Sequence, residues 1–142
     1  MANLPRLRVV LDTNTILRSI SRYSKFAVIL DRLYDSKYDL YITTDIILEY
    51  KEKISEIFSK ETAELISGAI SLLPNVKRVE VFYQMNLITA DPDDNKFTDC
   101  AFAANAHFMV TNDRHFNVLK SIEFPKIEVK TAEEFVELLI SE

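Results

Sequence analysis

Asp91, Asp93, Asp94 and Asp99 place four carboxylates within nine residues, directly ahead of the small-residue run Cys100-Ala101-Phe102-Ala103-Ala104-Asn105-Ala106. Acids beside apolar packing are costly unless they are hydrogen-bonded, paired or bound to a metal ion, because water's solvation is lost and like charges repel. Two more acidic motifs have a related form. Asp12-Thr13-Asn14 follows the β-branched run Leu7-Arg8-Val9-Val10-Leu11, and Thr111-Asn112-Asp113 follows Phe108-Met109-Val110. Glu49 adds an acid near the start of an apolar-periodic segment. Oxygen ligands without a cysteine or histidine among them favour a hard cation, Mg²⁺ or Mn²⁺, over zinc. Each motif also has a plainer use. Asp12 read alone is a helix N-cap, Asp91 and Asp93 are turn and capping acids, Glu49 is a surface residue, and His107 and His115 are a helix-end and a surface residue.

The elements that must position these groups alternate along the chain. Leu7–Leu11 is a short apolar strand, and Ile16, Leu17 and Ile20 follow it at helical spacing. Phe26, Ile29, Leu30 and Leu33 form the apolar stripe of a second helix, Leu40-Tyr41-Ile42 a second strand, and Ile46, Ile47, Tyr50, Ile54 and Ile57 a helix capped at Thr43-Thr44-Asp45. A helix over Glu61–Leu73 stops at Pro74-Asn75, and a strand is expected over Val76–Phe82. Phe108–Val110 and Ile127–Val129 read as strands, and Thr131-Ala132-Glu133-Glu134 as the capping box of a last helix. Such alternation specifies an α/β domain whose mainly parallel sheet is covered on both faces. The strands of that sheet end on one edge. Asp12 and Asp113 then face a common crevice, with Glu49 and the helix start at Asp94 beside it, and a divalent cation is the usual way to keep such a group ionised.

Composition narrows the functional classes. The 142 residues are read as one domain, 1–142, of which 48% are hydrophobic, enough for a substantial core. The net charge of −5 argues against a nucleic-acid-coating surface, but not against an enzyme that meets nucleic acid through a metal ion. Gly68 is the single glycine, which excludes a glycine-rich phosphate loop or dinucleotide fingerprint. The single cysteine, Cys100, fits packing better than nucleophilic chemistry. With no signal-length or membrane-length apolar run, a soluble cytoplasmic protein with no membrane partner is expected.

Asp12-Thr13-Asn14 after the first strand, Glu49 in a helix near Thr44, Asp91-Pro92-Asp93-Asp94-Asn95 before an alanine-rich helix and Val110-Thr111-Asn112-Asp113 after a strand together resemble a PIN domain, as far as about Phe116. The resemblance implies a three-layer α/β/α fold and a Mg²⁺- or Mn²⁺-dependent ribonuclease, often the toxin of a toxin–antitoxin pair. It makes Asp12, Glu49 and Asp94 the core acidic set and Asp113 a further acid. Asp94 and Asp99 lie about 140° apart on an ideal helix and cannot both point into one site. Asp94 is preferred; Asp99 remains a second candidate metal ligand, as an acid on the rim or a partner of Lys96. Asn14 and Thr111 are expected to orient the acids, while Arg18, Arg22 and Lys25 either meet phosphate or form a solvated face. The expected partners are single-stranded or loop RNA, an antitoxin protein and a second copy of the chain, with Tyr23, Tyr34 and Tyr38 as candidate exposed contacts. The competing readings are a PIN-fold interaction module with little or no catalysis and a structure-specific DNA nuclease.

Overall fold

The computed structural model describes residues 6–89 and 91–141. Five strands form one sheet: β1 (Arg8–Leu11), β2 (Asp39–Ile42), β3 (Val76–Arg78), β4 (Phe108–Val110) and β5 (Val129–Lys130). Their spatial order is β3-β2-β1-β4-β5 and every pairing is parallel. β1 sits at the centre, with Val9 opposite Leu40 on one side and Phe108 on the other. Successive strand residues point to opposite faces, so the complete burial of Val9, Val10 and Leu11 shows that both faces are covered. The fold is thus the expected α/β/α arrangement, with the sheet wholly rather than mainly parallel.

The helices start where short polar side chains satisfy free backbone N–H groups. Asp12 caps α1 (Thr13–Ser19), Thr43 caps α3 (Thr44–Ile57) and Ser59 caps α4 (Lys60–Leu72). α2 (Ala27–Tyr34) has no side-chain cap. α6 (Ala132–Ile140) opens on the reciprocal Thr131–Glu134 capping box, and α5 (Asn95–Ala103) follows a single 3-10 turn at Pro92–Asp94. α5 crosses β1, β2 and β4, while α6 packs on α2. Among the described residues no helix is long and apolar enough to cross a membrane.

Three local readings are corrected, and one element is new. β3 stops at Arg78 instead of reaching Phe82, because the chain beyond Val79 leaves the sheet edge and is held elsewhere. Asn95 makes two hydrogen bonds to the Ile88 backbone, at 2.8 and 2.9 Å, and Asp99 accepts from the Met85 N–H at 3.1 Å. β5 lies at Val129–Lys130, later than the apolar pattern placed it, since its register follows the backbone bonds of Met109 and Thr111 to Glu128 and Lys130. A 3-10 helix over Arg114–Ser121 has no strong sequence signature. Tyr38 is not an exposed aromatic: it is fully buried, donates its hydroxyl to the Ile29 carbonyl at 2.7 Å and meets the Phe135 ring edge-on.

Phe135 therefore joins α6 to the core, with ring centroids 5.1 Å from Tyr38 and 5.6 Å from Phe108. Phe135→Ala should destabilise the fold by about 3 kcal/mol or more in urea denaturation, the ordinary cost of emptying a buried aromatic site.

Candidate active site

The chain leaves β1 toward β2 and leaves β4 toward β5, in opposite directions, so a crevice opens at the carboxyl ends of these adjacent strands. Asp12 and Asp113 stand at its two sides. The Asp12 N–H donates to the Val110 carbonyl at 3.1 Å, tying the two strand ends together. The Asp12 side chain is buried, yet fully engaged. Its Oδ1 accepts from the Thr15 N–H at 2.9 Å and the Thr15 hydroxyl at 2.5 Å, and its Oδ2 from the Thr111 hydroxyl at 2.5 Å. Burial nevertheless raises its pKa above the ordinary carboxylate value, outweighing these bonds, and the charge of Asp113 adds to the rise. Asp12 is therefore both the cap of α1 and a buried acid at the crevice. The Thr111 hydroxyl also accepts from the Asp113 N–H at 3.0 Å, so one side chain orients both acids.

Asp94 enters from the start of α5. Burial pushes its pKa up to about 6, helped by the charges of Asp91 and Asp113 and opposed by His115. Asp113 thus acts electrostatically on both Asp12 and Asp94. His115 Nδ1 lies 3.4 Å from Asp94 Oδ2 and 3.6 Å from Asp113 Oδ1. Ligand atoms of Asp91, Asp94 and His115 all come within 4.8 Å of one another, a cluster with the spacing of a metal site. Asp91 still performs its turn role, accepting from the Asp93 N–H at 3.2 Å. The donor set of carboxylate oxygens and one imidazole nitrogen fits a divalent cation of hard to borderline character.

Glu49 reaches the crevice wall from α3, where it accepts from the Thr13 hydroxyl. Its other oxygen is held by Lys96 at 2.8 Å, so it meets the site as half of an ion pair. Lys96 also contacts Asp93 at 3.2 Å, so of the two alternatives for Asp99 the pairing with Lys96 is not the one found. Asp99 is turned away from the crevice and lines a separate cavity. Asp12, Asn14, Thr15, Arg18, Asn112 and Asp113 line a smaller cavity of about 130 Å³ in the crevice itself. Lys25 lies 3.9 Å from Glu133, and it and Arg18 lie over the Phe26 ring. Arg22 is exposed. His107 is structural: its Nδ1 accepts from the Arg8 N–H at 2.9 Å. Burial pushes the Cys100 thiol up to about 12, which suits packing.

A protein-family profile described as PIN domain matches residues 8–115, spanning β1 to His115. The chain belongs to the PIN domain family. No curated protein matches it. Solved structures share the fold of this PIN domain at low identity. VapBC2 from Rickettsia felis, bound to a DNA fragment from its promoter, is 20% identical with a TM-score of 0.61 over 88% of this chain and 98% of that one. DNA-bound VapBC from Salmonella typhimurium is 17% identical with a TM-score of 0.54 over 89% and 98%, and FitAB bound to an IR36 DNA fragment is 12% identical with a TM-score of 0.55 over 87% and 94%.

Two groups at the site escape a reading of this PIN domain's sequence. His115 arrives through the 3-10 turn after Asp113; the Asp-x-His spacing, with the Asp113 side chain accepting from the His115 N–H at 2.9 Å, is its only local signal. Lys96 lies inside an acidic run, and its partner is 47 residues away. The raised acids predict how stability depends on pH. An acid whose pKa is higher folded than unfolded stabilises the fold while protonated, and that contribution is lost as pH rises from about 4 through about 6. The metal-free protein should therefore melt at a higher temperature at pH 5 than at pH 7.5 in scanning calorimetry. Saturating Mn²⁺ should remove or reverse the difference, by stabilising the ionised acids.

Proposed function

We propose that this PIN domain is a ribonuclease dependent on Mg²⁺ or Mn²⁺ that hydrolyses phosphodiester bonds in accessible RNA, and that it is the toxin of a toxin–antitoxin pair. The observation that carries the reading is the convergence of acids at the β1–β4 crevice: Asp12 and Asp113 line one cavity, and His115 lies 3.6 Å from Asp113 and 3.4 Å from Asp94. Membership of the PIN domain family supports it. An antitoxin protein and a second copy of the chain are the proposed protein partners, with the exposed Tyr23 as a candidate contact, and the cytoplasm is the proposed location.

Asp12, Asp94 and Asp113 would hold the cation, with Asp91 and His115 at the outer side and Glu49 beside it. A bound divalent cation supplies charge for the phosphate and a more acidic water at neutral pH. The rest belongs to the protein. Thr15 and Thr111 hold Asp12 in a single orientation, so its carboxylate need not reorganise during the reaction. Arg18 lines the same cavity as Asp12 and Asp113, where its guanidinium offsets carboxylate charge and donates to a phosphate oxygen. Glu49, which accepts from Thr13 and pairs with Lys96, would accept a proton from water when released from Lys96. Unpaired RNA is the substrate because the crevice must reach the backbone.

The Lys96–Glu49 ion pair favours one competing reading, a PIN-fold interaction module, since it neutralises an acid that catalysis would use. Cleavage of end-labelled RNA with Mn²⁺ separates the two. Wild type should cut, and Asp12→Asn and Asp94→Asn should each lose at least about a hundredfold in rate, the upper range for disturbing a metal site's support. No cleavage by wild type, or equal cleavage by the variants, favours the interaction module or another set of residues.

A further inference from the structure

Lys96 stands in the first turn of α5, where the backbone dipole favours an acid over a cation. Its placement there needs a compensating reason, and two carboxylates supply it. The ammonium lies 2.8 Å from Glu49 Oε1 and 3.2 Å from Asp93 Oδ1, one acid from α3 and the other from the turn ahead of α5. The Lys96 and Glu49 side chains are only 20% and 14% exposed, so the pair is more than a solvated surface contact of little worth. Glu49 is also held at its second oxygen, which accepts from the Thr13 hydroxyl.

Both partners of Lys96 adjoin the crevice acids along the chain. Asp93 directly precedes Asp94, and Thr13, which holds Glu49, directly follows Asp12. Two carboxylates from separate elements that converge on one point make the kind of oxygen pair that hard divalent cations bind. Here a side chain brings the positive charge. Because the ammonium is tethered, it competes with a free ion at a high effective concentration. A divalent ion would enter only by displacing it, and the cavity of about 550 Å³ that Lys96 lines gives the side chain room to withdraw. Without Lys96, Glu49 would be a part-buried acid short of a counter-charge, the condition in which a carboxylate gains most from a metal ion.

We propose that Lys96 is a resident cation of the crevice: its ammonium, held between Glu49 and Asp93, fills the place a divalent ion would take there and keeps Glu49 from ligating ions held by the neighbouring acids. The proposal deepens the metal-dependent reading and rests on it for its bearing on catalysis, because an ammonium in this position supplies fixed positive charge beside the phosphate, as a second metal ion does in two-metal sites.

The test counts ions rather than turnover. Mn²⁺ uptake by the full chain is measured by equilibrium dialysis of the metal-free protein at pH 7.5, for wild type, Lys96→Met and Lys96→Arg. Lys96→Met, which keeps the length of the side chain and removes its charge, should take up about one more ion per chain than wild type at the same free Mn²⁺, and Lys96→Arg should take up no more than wild type. Adding Glu49→Gln to Lys96→Met should abolish the gain, which places the extra ion on Glu49. Thermal melting in EDTA checks that the variants fold, and Lys96→Gln takes the place of Lys96→Met should the apolar side chain unfold the protein. Equal uptake by wild type and the uncharged variant overturns the proposal, as does a gain that survives Glu49→Gln. Uptake by wild type without a gain rejects the resident cation and keeps the metal-dependent reading; a gain in the variant with no uptake by wild type keeps the resident cation and rejects that reading.

Discussion

The Asp12 carboxylate is buried at the junction of two parallel strands, and much of the molecule is arranged around the need to keep it there. Burial disfavours its charge, and Asp113 disfavours it further. Two hydroxyls and a backbone N–H work in the other direction. Their donors come from α1 and from the end of β4, so the acid joins the same segments that the Asp12–Val110 backbone bond joins. A buried ionised acid still needs a counter-charge, and at this edge none of the hydrogen-bonding partners carries one. Arg18 is the cation that shares its cavity, and it lies on the exposed side.

The neighbouring acids fall into two groups by the way their charge is met. Glu49 and Asp93 share the ammonium of Lys96 and are neutralised within the protein. Asp94, Asp91 and Asp113 cluster around His115 without an ion pair to a lysine or arginine among the described residues, and the pKa of Asp94 rises to about 6. That division supports the proposed cation at the Asp12–Asp113–Asp94 side of the crevice. Asp39, by contrast, is paired with Arg6 at 3.0 Å.

Much of this was legible in the residues. A β-branched run ending in Asp-Thr-Asn or Thr-Asn-Asp is readable because strands are short, apolar and followed by polar caps, and parallel topology then brings the ends together. Glu49 was legible as a position, not as an ion pair, because its contacts with Thr13 and Lys96 are 36 and 47 residues distant in sequence. His115 was hidden by a 3-10 segment whose period is neither that of a helix nor that of a strand. Val79 to Phe82 looked like strand because the apolar residues roughly alternate, yet the chain leaves β2 after Val79, and at Met85 and Ile88 its backbone is held by Asp99 and Asn95. Tyr38 looked like surface because its cover, Phe135, comes from the last helix.

The central claim is that the crevice acids bind a divalent cation, and calorimetric titration of Mn²⁺ into the metal-free protein tests it most directly. Run at pH 6 and pH 8 in buffers of different ionisation enthalpy, it counts protons released as well as ions bound. Because Asp94 is partly protonated near pH 6 and ionised at pH 8, saturable binding should release protons at the lower pH and far fewer at the higher. Asp113→Asn should weaken that binding. Absence of saturable binding at both pH values, or binding that Asp113→Asn leaves unchanged, would contradict the account.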